Sequence, residues 1–290
     1  MNAKDVKELR DRTGAGILDC KKALEESKGN VDEAIKILRK KGIAKAEKKQ
    51  HRIAAEGLTY LLEEGNKTIV IELNSETDFV AKNDKFKTMI TEIAKTLINS
   101  DAKTVEEAMD VKYKDMTIKD YIIEETSIIG EKLSLRRFII LEKNDGEIFG
   151  NYIHMGGKIS TSVLLKGDNE EAAKNIAMQV TAMSPKYLSE DDVPSEFIES
   201  EKEVVKAEIE NEAGDKPENI KEKMVEGKLR KAFKDIVLLD QPFIDDEKKT
   251  VANYLKENKL EVIKFVRYEV GEGMEKRQDD FAKEVMEQMN

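Results

Sequence analysis

The hydrophobic period of this chain changes from helix-like to strand-like at Gly57, and this change constrains the fold more than any other feature. Before it, apolar positions recur every three or four residues, most clearly across residues 31–38. Turn signals at residues 13–16 and at Gly29 divide this region into three short helices. A bundle of this size has too little core for an active site, so we predict a docking domain.

Beyond Gly57, alternating apolar and polar residues predict strands. The first strands fall at residues 58–62 and 68–73, with helical patterns following at 83–98 and 118–129. The same order then recurs, with strands at 135–141, 148–154 and 159–165 and a helix at 169–182. Two strand-then-helix units in succession predict an α+β fold with a duplicated core and small antiparallel sheets.

The segment at residues 191–227 differs from the core, because it is rich in lysine and glutamate. Two helical patterns flank a turn signal at residues 213–217. Their apolar stripe is thin and consists of Ile198, Val205 and Ile209 on one arm and Ile220 and Met224 on the other. So narrow a stripe is typical of a coiled-coil seam, which predicts a protruding helical hairpin.

The chain therefore divides into five expected parts. These are an N-terminal three-helix domain at residues 1–54, a core N-subdomain at 55–140, a core C-subdomain at 141–190 and 228–270, the helical hairpin at 191–227, and a C-terminal helical module at 271–290. Charged residues make up 38% of the chain and aromatic residues 6%, with no tryptophan, which is typical of a helix-rich protein with a lean core.

Charge is unevenly distributed along the chain. Residues 1–55 contain 15 Lys and Arg against 9 Asp and Glu, a net charge of +6, so the rest carries −16 of the total of −10. An acidic body argues against general nucleic-acid binding. The basic N-terminal domain could bind either RNA or an acidic protein surface. There is no apolar run of about 18 residues and no signal segment, so we expect a cytosolic protein with no membrane contact.

The residue types that catalyse reactions are scarce. The two histidines, His51 and His154, form no recognisable set with serine or cysteine, and the single cysteine, Cys20, excludes an intrachain disulfide. Residues 152–158 end in Gly-Gly-Lys but lack the first glycine and the Ser/Thr of a phosphate-binding loop. We expect a protein that is not an enzyme and holds no metal, cofactor or nucleotide of its own.

The most informative segment lies at residues 74–83, between a predicted strand and a predicted helix. It places an aromatic residue, Phe79, beside the carboxylate of Asp78 in a turn that would ordinarily be polar throughout. Two interpretations are open from the residues alone. Phe79 could fold back to cover the core, or it could enter a pocket of another protein.

Thr77-Asp78-Phe79-Val80 resembles the signature loop of the elongation factor Ts family. Further similar segments lie in the same order at residues 6–10, 12–16, 19–24, 52–57, 152–158, 222–227 and 265–273. They span nearly the whole chain. The sequence departs from the family at Met155, where many members carry glycine.

This resemblance implies a guanine nucleotide exchange factor that releases GDP from elongation factor Tu, the partner that holds both GDP and Mg²⁺. It implies that Thr77, Asp78, Phe79 and Val80 enter the partner's nucleotide domain and help to displace the groups that hold Mg²⁺. The other partner-binding residues that it implies are Arg12, Thr13, Gly14, Asp19 and Lys22, and His154, Met155, Gly156 and Gly157.

The resemblance also implies that the N-terminal domain is of the ubiquitin-associated type. It further implies that the hairpin at residues 191–227 is a dimerisation module, and hence a homodimer. The alternative function is that of a ribosome- or RNA-associated binding protein acting through the basic N-terminal domain.

Overall fold

The computed structural model describes residues 3–214 and 216–275 and contains two compact units. Within the described residues, the first unit consists of residues 3–64, 69–140 and 268–275, and the second of residues 65–68, 141–214 and 216–267. Most of the expected C-terminal helical module at residues 271–290 falls outside the described residues, which end at residue 275. The five-part division of the sequence stays a prediction.

The first unit begins with three helices and continues with a three-stranded sheet. The helices are α1 (Ala3–Thr13), α2 (Ile17–Glu26) and α3 (Val31–Glu47). The sheet has the order β1-β2-β5 and consists of β1 (Glu56–Glu64), β2 (Lys67–Ser75) and β5 (Ser134–Glu142). Between β2 and β5 lie α4 (Asp78–Lys82), α5 (Asp84–Ile98), α6 (Val105–Asp110), β3 (Lys112–Tyr113), β4 (Met116–Thr117) and α7 (Ile118–Ile129).

The core of this unit forms where α5 packs on the sheet. Apolar residues recur along α5 at helical spacing, so one face of the helix is apolar along its whole length. The buried side chains of this core include Ile71, Leu73, Phe86, Ile93 and Phe138. Burial of such side chains is the main favourable term in folding, at about 1.5–3 kcal/mol for each large one.

The second unit repeats this arrangement. A hairpin of β6 (Glu147–His154) and β7 (Ile159–Lys166) is followed by α8 (Glu170–Met183), and β10 (Glu261–Glu269) completes a sheet of order β10-β7-β6. In both sheets the last strand pairs with the second strand of the hairpin. The remaining elements are α9 (Ser195–Ala213), α10 (Glu218–Ile236), β8 (Pro242–Phe243), β9 (Asp246–Thr250) and α11 (Val251–Glu257).

The helices α9 and α10 pack against each other through a narrow apolar seam. Val205 and Ile209 of α9 are buried against Val225 and Leu229 of α10. Of the expected stripe, Val205 and Ile209 lie in this seam and Met224 packs against it, whereas Ile220 is 42% exposed. The seam stabilises the hairpin within one chain. The second arm extends to Ile236, beyond the expected end at residue 227.

The structure confirms the predicted α+β fold with N-terminal helices and small antiparallel sheets. The sequence pattern does not predict the shortest elements, namely α4, α6, β3, β4, β8, β9 and α11. None of them is long enough to show a hydrophobic period. Within residues 3–214 and 216–275, no helix has the length and apolar character needed to cross a membrane.

Gly150 tests how closely α8 lies on its sheet, and Gly227 in α10 serves as a control. A Cβ at Gly150 of β6 would overlap the carbonyl oxygen of Ala173 in α8, whereas a Cβ at Gly227 of α10 would meet nothing within 4 Å. We expect Gly150→Ala to lower the free energy of unfolding by at least about 2 kcal/mol through overpacking. Gly227→Ala should raise it by about 0.5–1 kcal/mol, since glycine is a poor helix former.

Urea titrations followed by circular dichroism would measure both changes. A Gly150→Ala variant as stable as the unmutated protein would show that α8 does not approach β6 this closely.

Candidate functional site

The segment that joins β2 to α5 is a single helical turn with its own N-cap. Thr77 caps α4, because its side-chain oxygen accepts a hydrogen bond from the backbone N–H of Val80 at 3.4 Å. Asn83 ends α4 and caps α5, accepting from the N–H of Lys85 at 2.8 Å. We name residues 77–82 the Phe79 turn.

Within the Phe79 turn, alternate sides of α4 face the core and the solvent. Ala81 is buried in the first core, and Val80 packs against it. Phe79 points outward and is 80% exposed, the highest value among the large apolar side chains of the described residues. Of the two interpretations of Phe79, the one in which it folds back onto the core is therefore wrong.

The two charged side chains of α4 pair with each other. Lys82 Nζ lies 2.5 Å from Asp78 Oδ2 and 5.9 Å from the centroid of the Phe79 ring. In the free protein the Asp78 carboxylate is thus neutralised locally, and a partner's cation would have to replace Lys82 beside it.

The residue before the turn is fixed by contacts from two other segments. Glu76 accepts a hydrogen bond from the backbone N–H of Lys132 at 2.6 Å, and its carboxylate pairs with Arg52 Nη1 at 3.2 Å. Lys132 Nζ in turn donates to the carbonyl oxygens of Gln50 and Arg52. Lys49 Nζ donates to the carbonyl oxygen of Gly130, and burial, together with the charge of Arg52, lowers the pKa of Lys49.

The strand that leads into the turn is anchored by a buried carboxylate. Glu72 of β2 has no exposed surface, and its oxygens accept from Arg136 Nη1 at 2.9 Å and Arg137 Nε at 2.6 Å. Asn74 Nδ2 and the backbone N–H of Gly271 also donate to it, at 3.1 and 2.8 Å. A buried carboxylate is tolerated only when it is paired and fully hydrogen-bonded in this way.

Part of the 265–273 motif therefore has a structural role in the described residues. Gly271 has φ 71°, and a Cβ there would overlap the carbonyl oxygen of Ala55. The guanidinium of Arg137 lies 4.2 Å from the centroid of the Tyr268 ring. Burial raises the pKa of the Tyr268 hydroxyl.

The residues expected to bind a partner from the α1–α2 turn have local structural contacts. Thr13 Oγ1 donates to the carbonyl oxygen of Leu9 at 2.7 Å, and Arg12 Nη2 lies 3.4 Å from Asp32 Oδ1. Gly14 has φ 66°, and a Cβ there would approach Ile128 of α7 to 3.3 Å. Gly14 thus lets the turn pass close to α7.

The same end of the bundle exposes two apolar side chains that sequence analysis missed. Ile17 is 55% exposed and Leu18 is 73% exposed at the start of α2, and we name them the Ile17–Leu18 pair. Asp19 pairs with Lys45 at 2.9 Å, and Lys22 is exposed. A signal was present for Leu18, which lies on the face of α2 opposite the buried Cys20, whereas Ile17 continues the apolar stripe of Cys20 and Leu24.

Cys20 on the same helix is fully buried. Burial raises the pKa of its thiol, so the neighbouring lysines do not make it a reactive thiolate.

The turn between β6 and β7 holds the other expected partner-binding residues. Strand pairing ends at His154 and Ile159, and the N–H groups of Gly157 and Lys158 both donate to the His154 carbonyl at 3.1 Å. Met155 has φ 48° and is 73% exposed. A left-handed backbone favours glycine, which accounts physically for the glycine of other members, so Met155 holds a conformation that glycine would adopt with less strain.

The described residues thus present exposed apolar side chains on turns that are held by hydrogen bonds, an arrangement suited to contacting another protein. No group of three or more His, Cys, Asp or Glu residues in the described chain could hold a metal ion. Residues 76–272 match the sequence model of the family Elongation factor TS. The chain therefore belongs to this family of translation elongation factors, which promote nucleotide exchange on elongation factor Tu.

The matched range includes the Phe79 turn, the β6–β7 turn and the α9–α10 hairpin. It begins after α3, so the expected contacts of the N-terminal domain lie outside it.

Proposed function

We propose that this chain binds the GDP-bound form of elongation factor Tu and promotes GDP release by inserting the Phe79 turn beside the partner's nucleotide site. The observation that carries the proposal is the 80% exposure of Phe79 on a capped turn whose neighbours, Val80 and Ala81, face the core. Because the backbone of this turn is already held, entry of Phe79 into a pocket would order little besides its own side-chain rotamers.

Exchange requires a preference for the nucleotide-free partner, since by linkage this preference weakens GDP binding by the same factor. Shifting an equilibrium from 1:99 to 99:1 takes roughly 5.5 kcal/mol. Burying one phenylalanine provides only about 1.5–3 kcal/mol. Phe79 must therefore act with other contacts.

Asp78 is the second group of the turn with a proposed role in exchange. Mg²⁺ bridges the nucleotide phosphates to the partner, and its loss leaves their charge poorly neutralised. A carboxylate brought near that site would help to displace the oxygen groups that hold Mg²⁺. The Asp78 carboxylate can take this role only when its ion pair with Lys82 opens.

The β6–β7 turn and the N-terminal bundle would supply the remaining affinity for elongation factor Tu. The β6–β7 turn offers Met155 and two glycines, which allow close approach of a partner's backbone. The N-terminal bundle offers the Ile17–Leu18 pair beside exposed Lys22. We assign the bundle to docking, because it would make the same contact in both nucleotide states of the partner.

The hairpin of α9 and α10 is proposed as a self-association module. Val205 and Ile209 are buried within the hairpin, so the surface offered to a second copy consists of other residues. Val204 is 52% exposed and Ile220 is 42% exposed on its outer faces. These two side chains would form the contact in a homodimer.

The alternative of an RNA- or ribosome-associated protein has weaker support. Several cations of the basic bundle are paired with its own acids, as in Lys41–Glu26 and Lys45–Asp19. A paired cation releases fewer counterions from a phosphate backbone. Affinity for RNA would fall steeply with salt, whereas affinity through an apolar wedge would not.

The first prediction concerns Phe79. Phe79→Ala should lower the saturating rate of GDP release at least about tenfold, because burial of one phenylalanine contributes about 1.5–3 kcal/mol. Its melting temperature should be unchanged, since an exposed side chain contributes little to folding. Asp78→Ala should lose less activity. Release of labelled GDP from purified elongation factor Tu measures the rates. Unchanged release combined with a melting temperature several degrees lower would contradict the proposal.

The second prediction concerns the Ile17–Leu18 pair. Changing both to serine should raise the concentration for half-maximal exchange by about tenfold or more, since apolar contact area is lost. The saturating rate should change far less, because a docking contact equal in both states shifts no equilibrium. Any electrostatic contribution of the bundle to affinity should weaken with salt, because exposed charges are screened beyond about 10 Å at 0.1 M ionic strength.

Ile263→Ser is the matched control, because Ile263 is a partly exposed apolar residue on β10 and is not part of the bundle. The assignment of the bundle to docking is wrong if the double variant loses its saturating rate at unchanged apparent affinity.

The third prediction concerns the hairpin. Replacing residues 201–230 with a short Gly/Ser linker leaves the base of both helices, including the contact between Phe197 and Tyr187. GDP release should be preserved, and self-association should disappear in sedimentation velocity. Loss of exchange in a folded deletion variant would place the hairpin in the exchange site instead.

A further inference from the structure

Glu131, in the connection between α7 and β5, holds the residue that begins the Phe79 turn. Its Oε2 accepts from the backbone N–H of Thr77 at 2.9 Å, and its Oε1 accepts from the Thr77 hydroxyl at 2.6 Å. Both carboxylate oxygens are thus bonded to one residue. Hydrogen bonds to an ionised carboxylate are stronger than neutral ones and restrict orientation more.

The orientation of Thr77 decides which way α4 faces. A helix of five residues is not stable alone, because its few hydrogen bonds do not offset the cost of nucleation. Thr77 is its N-cap and lies two residues before Phe79. A Thr77 fixed at two points therefore turns Phe79 to solvent and Ala81 to the core.

A second contact between the same two segments allows the effect of Glu131 on the turn to be measured without unfolding the unit. Glu76 accepts from the N–H of Lys132, so adjacent residues of the two segments are bonded in both directions. The Glu76–Lys132 contact remains when Glu131 is changed, and it keeps the segments together. Loss of the Glu131 carboxylate should then free the turn without unfolding the unit.

The position of Glu131 is itself fixed. Gly130 ends α7 with φ 89°, a left-handed conformation that turns the chain toward the end of β2. Lys49 donates to the Gly130 carbonyl oxygen. These two contacts fix the backbone next to Glu131, and so they limit where its carboxylate can lie.

We propose that Glu131 is a positioning residue for nucleotide exchange, which orients the Phe79 turn through its two hydrogen bonds to Thr77. This inference rests on the proposed function of the turn. Glu131 contacts neither the partner nor Mg²⁺ in this account and acts through Thr77 alone.

The test compares Glu131→Ala and Glu131→Gln with the unmutated chain. Glu131→Ala should lower the saturating rate of GDP release about tenfold, as two charge-assisted hydrogen bonds are lost. Glu131→Gln should fall in between, because its amide oxygen can accept from only one of the two donors. The concentration for half-maximal release should change less than about twofold, since the docking contacts are intact. Glu64→Gln, an exposed site on β1, controls for the loss of charge.

A second readout needs no partner. The chain has no tryptophan, so Phe79→Trp provides a single fluorescent reporter on the turn. Adding Glu131→Ala should lower the fluorescence anisotropy of this tryptophan, whereas adding Glu64→Gln should not. Unchanged anisotropy, or an unchanged saturating rate in Glu131→Ala, would overturn the inference. If the unmutated chain releases no GDP, the proposed function fails, and the anisotropy alone decides whether Glu131 orders the turn.

Discussion

The buried carboxylate of Glu72 is the interaction on which the site-bearing unit depends. It joins β2 to β5 through Arg136 and Arg137 and to the turn after β10 through the N–H of Gly271. Removing one partner of such a buried pair typically costs about 3–5 kcal/mol, because a charge is left without compensation. The strand that it fixes leads within a few residues to Phe79. The exposed side chain therefore extends from a backbone that is held in place.

Rigidity matters here because an exchange factor acts through differential binding. A mobile Phe79 would lose conformational entropy on entering a partner, and that loss would reduce the preference for the nucleotide-free state. The structure limits the loss with a cap at Thr77, inward packing of Ala81 and the two hydrogen bonds that Thr77 donates to Glu131. Because these contacts hold the turn without the Phe79 side chain, that side chain contributes little to folding.

Much of the fold was predictable, because the strands and longer helices have a clear hydrophobic period. The sequence also drew attention to Phe79, but it could not decide between burial and exposure, which depends on how α4 is rotated. Glu72 and Glu131 escaped notice for a different reason. Their partners, Arg136 for Glu72 and Thr77 for Glu131, lie more than 50 positions away in the sequence, and one sequence gives no sign of such pairs.

The central claim is that Phe79 binds the nucleotide-free partner in preference to the GDP-bound one. Isothermal titration of the unmutated chain and of Phe79→Ala against both forms of elongation factor Tu tests it most directly. We expect the ratio of the two dissociation constants to fall at least about tenfold in the variant, with affinity for the GDP-bound form nearly unchanged. An equal loss of affinity for both forms would contradict the account, because Phe79 would then be a docking residue only.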